Sequence, residues 1–268
     1  MNSGVRTIPF VKASACGNDF LVIDSVLAPA AIEIHEFTRR ICDRHNGIGA
    51  DGVEWMLPHP SADLEIRLIN ADGTDAEISG NGTRCVAAYL CAEQGKERIV
   101  IQTGAGLKTC VLTSRNDWQY EFEMAVGTAA VDKKSSIQTS EGEVQGIRVS
   151  VGNPHFVVFV AQFPPDWQQQ AAEIQRAAIF KGGVNVEFVV VESKHDIGVR
   201  FFERGVGETQ SSGTGSCASA AAAVAALRAE SPVKVHAAGG TQTVRWDGND
   251  IFLRGAARLL GRGEFFPD

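Results

Sequence analysis

The stretch Ala71–Cys85, ADGTDAEISGNGTRC, runs a glycine-rich turn into an apolar segment and puts a serine, Ser79, where the turn begins. A second stretch, Glu203–Ala218, ERGVGETQSSGTGSCA, does the same with Ser212 in the equivalent place. Glycine lets a backbone turn tightly and expose its N–H groups. The first turn of a helix has N–H groups with no partner inside the helix, and together with the helix dipole these attract anions. One such turn is most simply just a turn. Two at matched positions call for a common explanation.

Working outward, a shift of 133 residues lays Val53-Glu54-Trp55 on Val186-Glu187-Phe188, Ser79-Gly80 on Ser212-Gly213, Gly82 on Gly215, and Asn116-Asp117 on Asn249-Asp250. Nearer the start, Gly17-Asn18 falls on Gly152-Asn153 at an offset of 135. Ordered matches at a near-constant spacing of half the chain indicate two similarly folded halves. Residues 1–125 form the first, 126–255 the second, and the tail 256–268 is a candidate to pair back onto the first.

Within each half, short runs rich in β-branched and aromatic residues read as strands: Phe20–Ile23, Leu64–Ile69, Phe156–Val160, Phe188–Val191 and Val199–Phe202. The turns then lead into helices over about 83–94, stopped by Gly95, and about 216–229, before Pro232. CASAAAAVAAL, with Ser219 its one polar residue after the cysteine, is apolar all round and reads as a buried helix. Alternation in DWQYEFEM puts Trp118, Tyr120, Phe122 and Met124 on one face, and DIFLRG closes the second half similarly. Two surface helices are expected over about 33–44 and 167–180. The fold class is α/β (α+β): two pseudo-symmetric domains, each a curved, antiparallel or mixed sheet around a central apolar helix, with the site in the cleft between them.

The chain has 268 residues, 44% hydrophobic and 21% charged, a net charge of -7 and a pI near 5.4. That composition suits a globular protein and argues against nucleic acid as partner, since no Lys/Arg run appears. No signal-peptide pattern and no membrane-length apolar run are seen, so the expected location is cytoplasmic. The six cysteines form no CxxC pair and are expected to be reduced, with Cys85 and Cys217, a helical turn past the serines, in the core. His35, His45, His59, His195 and His236 are scattered and show no metal-ligand spacing. No metal and no cofactor is expected; a small molecule is the expected ligand.

ACGNDF, DRHNGIGADG, NADGTDAEISGNGTRC, GNPHFVV, VNVEF and ERGVGETQSSGTGSCA resemble, in order and over nearly the whole chain, the diaminopimelate epimerase family. Proline racemases share that fold but look different around the second turn. The resemblance implies a cofactor-independent transfer of one proton at carbon, interconverting LL- and meso-diaminopimelate for lysine and cell-wall synthesis, and it implies a homodimer. In the family two cysteines on opposite faces of the α-carbon do this work, and they match Ser79 and Ser212. A thiol can be brought to ionise near neutrality at a helix N-terminus, whereas a serine hydroxyl acts as a base only with a strong activator.

By the same matching, His155 and Glu208 lie close to the acid/base pair, Asp75 being the repeat partner of Glu208. The substrate contacts carried over are Asn18, Asn70, Asn153, Asn185, Glu203 and Arg204. The α-carboxylate is expected on backbone N–H groups around Gly80-Asn81 and Gly213-Thr214, and the distal carboxylate on the Arg204 fork. Three readings follow from the two serines: an epimerase with activated serines, a related amino-acid lyase or isomerase, and a ligand-binding homologue without the chemistry.

Overall fold

The computed structural model describes residues 7–28 and 32–267. The extreme ends of the expected segments 1–125 and 256–268 lie outside them. The chain divides into two compact units, one reaching to Met124 and resuming at Gly255, the other Ala125–Arg254.

In the first unit, β1 (Ile8–Ala15) and β2 (Asn18–Asp24) form a hairpin, α1 (Ile34–Cys42) follows, and β3 (Gly52–Leu57), β4 (Leu64–Asn70) and the short β5 (Asp75–Ala76) lead into α2 (Gly80–Gln94). After it come β6 (Arg98–Thr103), β7 (Gly106–Asn116) and β8 (Gln119–Thr128). β2 and β3 run parallel, with Phe20 opposite Gly52 and Val22 opposite Glu54, and β3 pairs antiparallel with β4, Gly52 opposite Asn70. Strand side chains alternate between faces, and both faces here are apolar. Phe20, Val22, Ile66 and Leu68 pack with Cys85, Val86, Ala88 and Leu90 of α2. Leu21, Ile23, Val53, Trp55 and Ile69 pack on the other side with Phe37 and Ile41 of α1. Glu54 is therefore on the α2 face of an otherwise apolar strand.

The second unit repeats this plan. β9 (Ala130–Thr139), β10 (Gly142–Ser150) and β11 (Pro154–Phe159) precede α3 (Trp167–Gln175), and β12 (Asn185–Val191), β13 (Asp196–Glu203) and β14 (Gly207–Thr209) lead into α4 (Gly213–Ala225). β15 (Val233–Ala237), β16 (Gly240–Trp246) and β17 (Asp250–Phe265) follow. The parallel ladder recurs, with His155 opposite Asn185 and Val157 opposite Glu187. Val157, Val189, Val199 and Phe201 pack with α4, and Phe156, Val158, Val186 and Phe188 with Trp167, Ala171 and Ile174 of α3. The last residues of β17 pair with β1, from Ser14 opposite Arg258 to Ile8 opposite Phe265.

Both central helices begin three residues earlier than periodicity suggests, because the SGxG turn is itself the first helical turn, with Ser79 and Ser212 as N-caps. α4 also ends earlier, at an unwound Ala226 and a left-handed Leu227, well before Pro232. Gly95 caps α2 in the left-handed region as expected. Tyr120, Phe122 and Met124 are buried, but Trp118 is 55% exposed, because it sits in the turn before β8 where the alternation has not begun. Among the described residues no helix is long and apolar enough to cross a membrane, and no group of three or more His, Cys, Asp or Glu is placed to hold a metal ion. Cys85 and Cys217 are fully buried, and no cysteine is in a disulfide.

Candidate functional site

Each serine is fixed by the same local chemistry. Ser79 has extended backbone and its Oγ accepts from the Gly82 N–H at 3.1 Å, while its carbonyl accepts from the Thr83 hydroxyl at 2.8 Å. Ser212 Oγ accepts from the Gly215 N–H at 3.2 Å, and its carbonyl from the Ser216 hydroxyl at 2.7 Å. A serine oxygen on an orphan helical N–H is a strong N-cap. It also leaves each hydroxyl proton free to point elsewhere.

In the second unit that proton has a partner: Ser212 Oγ donates to Glu203 Oε2 at 3.2 Å, and Thr209 Oγ1 donates to Glu203 Oε1 at 2.7 Å. The carboxylate at Ser212 is thus Glu203, read from the sequence as a substrate contact, and not Glu208. In the β13–β14 hairpin Glu208 stands opposite Phe202, and its exposed carboxylate accepts from Gln168 of α3 at 3.1 Å. Its repeat partner Asp75 is likewise exposed and bound to Arg67 at 2.8 Å.

His155 is buried behind Ser212's turn. Its Nδ1 meets Glu187 Oε1 at 2.7 Å and its Nε2 meets Asn153 Oδ1 at 2.8 Å, while Asn153 Nδ2 reaches Thr214 Oγ1 at 3.4 Å. Burial raises the Glu187 carboxyl above its ordinary value, and the His155 interaction works against that rise. The chain Glu187–His155–Asn153–Thr214 ends on the first turn of α4, so three of its members orient the groups beside Gly213.

Asn18 and Asn81 meet in the first unit, Asn81 Nδ2 donating to Asn18 Oδ1 at 2.7 Å. Arg84, fully buried, donates to Asn81 Oδ1, and Asn18 donates to Asp51. Gly80 opens the helix beside Met124.

Other residues read as substrate contacts also make hydrogen bonds within the fold. Asn70 donates to Thr74 in its own turn. Asn185 donates to the Pro154 carbonyl and accepts from the Arg204 N–H, so both amide atoms hold backbone. The Arg204 guanidinium is exposed and donates to the Gly182 carbonyl.

Two groups were missed. Glu54 and Glu187 are the central residues of the matched VEW and VEF triplets, and both are fully buried against the SGxG turns: a Cβ on Gly82 would overlap the Glu54 carboxylate, and one on Gly215 would come within 3.0 Å of Glu187 Oε1. The signal was available, since an acid inside an apolar run, twice at one offset, is rarely accidental. Arg84 gave no such signal.

The diaminopimelate epimerase family model matches residues 10–131 and 147–260. A diaminopimelate epimerase of Caldanaerobacter subterraneus subsp. tengcongensis is 34% identical over 95% of this chain and 98% of its own length. That of Elusimicrobium minutum is 35% identical over 96% and 98%. In fold, the chain is similar to a Bacillus anthracis protein of the phenazine biosynthesis PhzF family, with a TM-score of 0.73 at 17% identity over 97% of this chain and 99% of that one. Matched across both halves by the family model and by relatives of full length, the chain belongs to the diaminopimelate epimerase family and is an isomerase of the epimerase and racemase kind.

Proposed function

We propose that this protein interconverts LL- and meso-diaminopimelate, with Ser79 and Ser212 as the acid/base pair. The observation that carries the reading is the hydrogen bond from Ser212 Oγ to Glu203, which supplies the activator that a serine needs. The reaction asks the two serine turns to address one α-carbon from opposite faces. Ser212 Oγ would take the α-proton as its own proton passes to Glu203, leaving the electron pair on carbon; the opposite hydroxyl then returns a proton, inverting the centre. The N–H groups of each helix's first turn, around Gly80-Asn81 and Gly213-Thr214, would hold the α-carboxylate, whose charge rises as the carbanion forms. His155, held by Glu187 and Asn153, would keep the α4 turn in register. Arg204, with its fork in solvent, is available to a distal carboxylate.

The lysine-pathway role and a small-molecule amino-acid substrate follow from the same reading. So do a homodimer, a cytoplasmic location and independence from pyridoxal phosphate. The test is incubation with diaminopimelate in deuterium oxide. Deuterium at the α-carbon with interconversion of LL and meso forms is expected. Deuterium with a different product would mark the lyase or isomerase reading, and binding without exchange would mark a ligand-binding homologue.

A further inference from the structure

The two serines are not equally served. By ladder register the residue at the place of Glu203 is Asn70, since Asn70 stands opposite Gly52 and Gly52 corresponds to Asn185. Ser79 therefore has no counterpart to the Glu203 carboxylate. By the same register Phe20 stands where His155 does, so Glu54 lacks the partner that Glu187 has. Both oxygens of Glu54 are buried without a hydrogen bond. A lone buried carboxyl is costly to keep, and Glu54 is kept beside the first turn of α2. A Cβ on Gly82 would overlap its carboxylate and lie 3.3 Å from Ser79 Cβ, so the absence of a side chain there is what lets the Glu54 carboxylate sit beside the Ser79 turn.

We propose that Glu54 is the proton-holding partner of Ser79, acting through that serine as Glu203 acts through Ser212. The inference rests on the acid/base reading of Ser79. In the step, Ser79 Oγ accepts a proton from substrate carbon while its own hydroxyl proton moves to a Glu54 oxygen, directly after a small side-chain rotation or through one water. Ser79 ends as an alcohol, Glu54 as an acid, and the electron pair stays on carbon; the reverse step returns the proton. No free alkoxide is needed.

The ionisable groups on the elements packed around Glu54 are Asp19 and Asp24 on β2, Glu65 and Arg67 on β4, and Arg84, Cys85, Tyr89, Cys91 and Glu93 on α2; none hydrogen-bonds either Glu54 oxygen. Arg84 donates to Asn81 and Cys16, and burial holds the Cys85 thiol far above its ordinary value, hence neutral. The inward neighbours Phe20, Val22, Ile66 and Leu68 are apolar. Burial alone pushes Glu54 up to about 8, so its proton-accepting form grows in through that pH.

The experiment labels the intact protein with phenylmethylsulfonyl fluoride, in which serine Oγ bonds to sulfur, fluoride leaves and the hydroxyl proton goes to the base. Labelling at Ser79 is followed by peptide mapping. The rate is expected to climb with pH through about 8 and to fall about a hundredfold in Glu54→Gln, an isosteric change whose folded state is checked by an unaltered circular dichroism spectrum and a urea midpoint no lower than the parent's. In a Ser79→Cys background, where the thiol ionises by itself, alkylation by iodoacetamide is expected to be indifferent to Glu54→Gln. An unlabelled Ser79, a flat pH profile, or equal labelling in Glu54→Gln overturns the proposal. Labelling needs no amino acid, so a protein that labels as expected yet exchanges no diaminopimelate hydrogen would refute the substrate and spare the pair.

Discussion

In the second unit a buried glutamate, Glu187, meets His155 at 2.7 Å, and a second carboxylate, Glu203, meets the capping serine at 3.2 Å. In the first unit the same four places hold Glu54, Phe20, Asn70 and Ser79, and the glutamate meets nothing. The strands, the helix cap and the glycine that lets the acid approach are common to both. What differs is two side chains, Phe20 for His155 and Asn70 for Glu203. A duplicated scaffold can thus conserve a buried acid while reversing its condition, from a paired group to a solitary one, and the solitary one is free for other chemistry.

The largest expected effect separates the carboxylates near Ser212. Glu203→Gln should lower α-hydrogen exchange by roughly 10²–10⁴-fold, the usual worth of a general base. Glu208→Gln, whose carboxylate faces α3, should leave the rate within about twofold. Deuterium exchange rates on the two variants decide this; a larger loss from Glu208→Gln would return the role to that residue.

Next is a pair of substitutions expected to differ in sign. Glu187→Leu removes one member of a buried pair and should cost about 3–5 kcal/mol. Glu54→Leu removes a carboxyl that has no partner and should stabilise by about 1–3 kcal/mol at neutral pH. Urea midpoints at constant slope measure both. Two destabilisations of equal size would mean that Glu54 has a partner after all.

The solitary acid should also leave a pH signature. Its folded-state value is raised from 4.5 to about 8, so between these values the folded protein holds a proton that the unfolded chain has released. The contribution of the neutral form is whole below about 4.5 and is lost as pH rises toward about 8, up to a few kcal/mol. Glu54→Gln cannot release that proton. The stability gap between Glu54→Gln and the parent should widen in favour of the variant from about pH 5 to about pH 8.5, and a constant gap would sink the assignment.

The smallest effect concerns the caps. Ser79→Ala and Ser212→Ala should each cost about 1 kcal/mol for the lost N-cap. Ser212→Ala should cost more, because Ser212 is buried and Glu203 loses a donor. Thermal unfolding of the two variants reads the difference, and equal costs would show that the Glu203 contact adds nothing to stability.

Much of this was set by the sequence alone. The repeat at 133 residues, the two serine-glycine turns, the all-apolar α4 and the Gly95 stop are local patterns, and short-range sterics and hydrophobic periodicity are enough to dictate them. The family is likewise written in contiguous motifs. The tertiary structure decided which polar atoms meet. Glu203 and Glu208 lie five residues apart in one motif, and only the hairpin, which turns alternate side chains to opposite faces, sends the first to Ser212 and the second to Gln168. Asn70 and Asn185 are candidate ligand contacts in their motifs, and only the folded chain brings Asn70 to Thr74 and Asn185 to the backbone at Pro154 and Arg204. Glu54 stands out in the sequence only as an acid in a repeated apolar triplet, and its lack of a partner is decided when β2, β4 and α2 close over it. Its isolation is a property of three elements brought together from distant parts of the chain, because burial and hydrogen bonding are settled by neighbours in space.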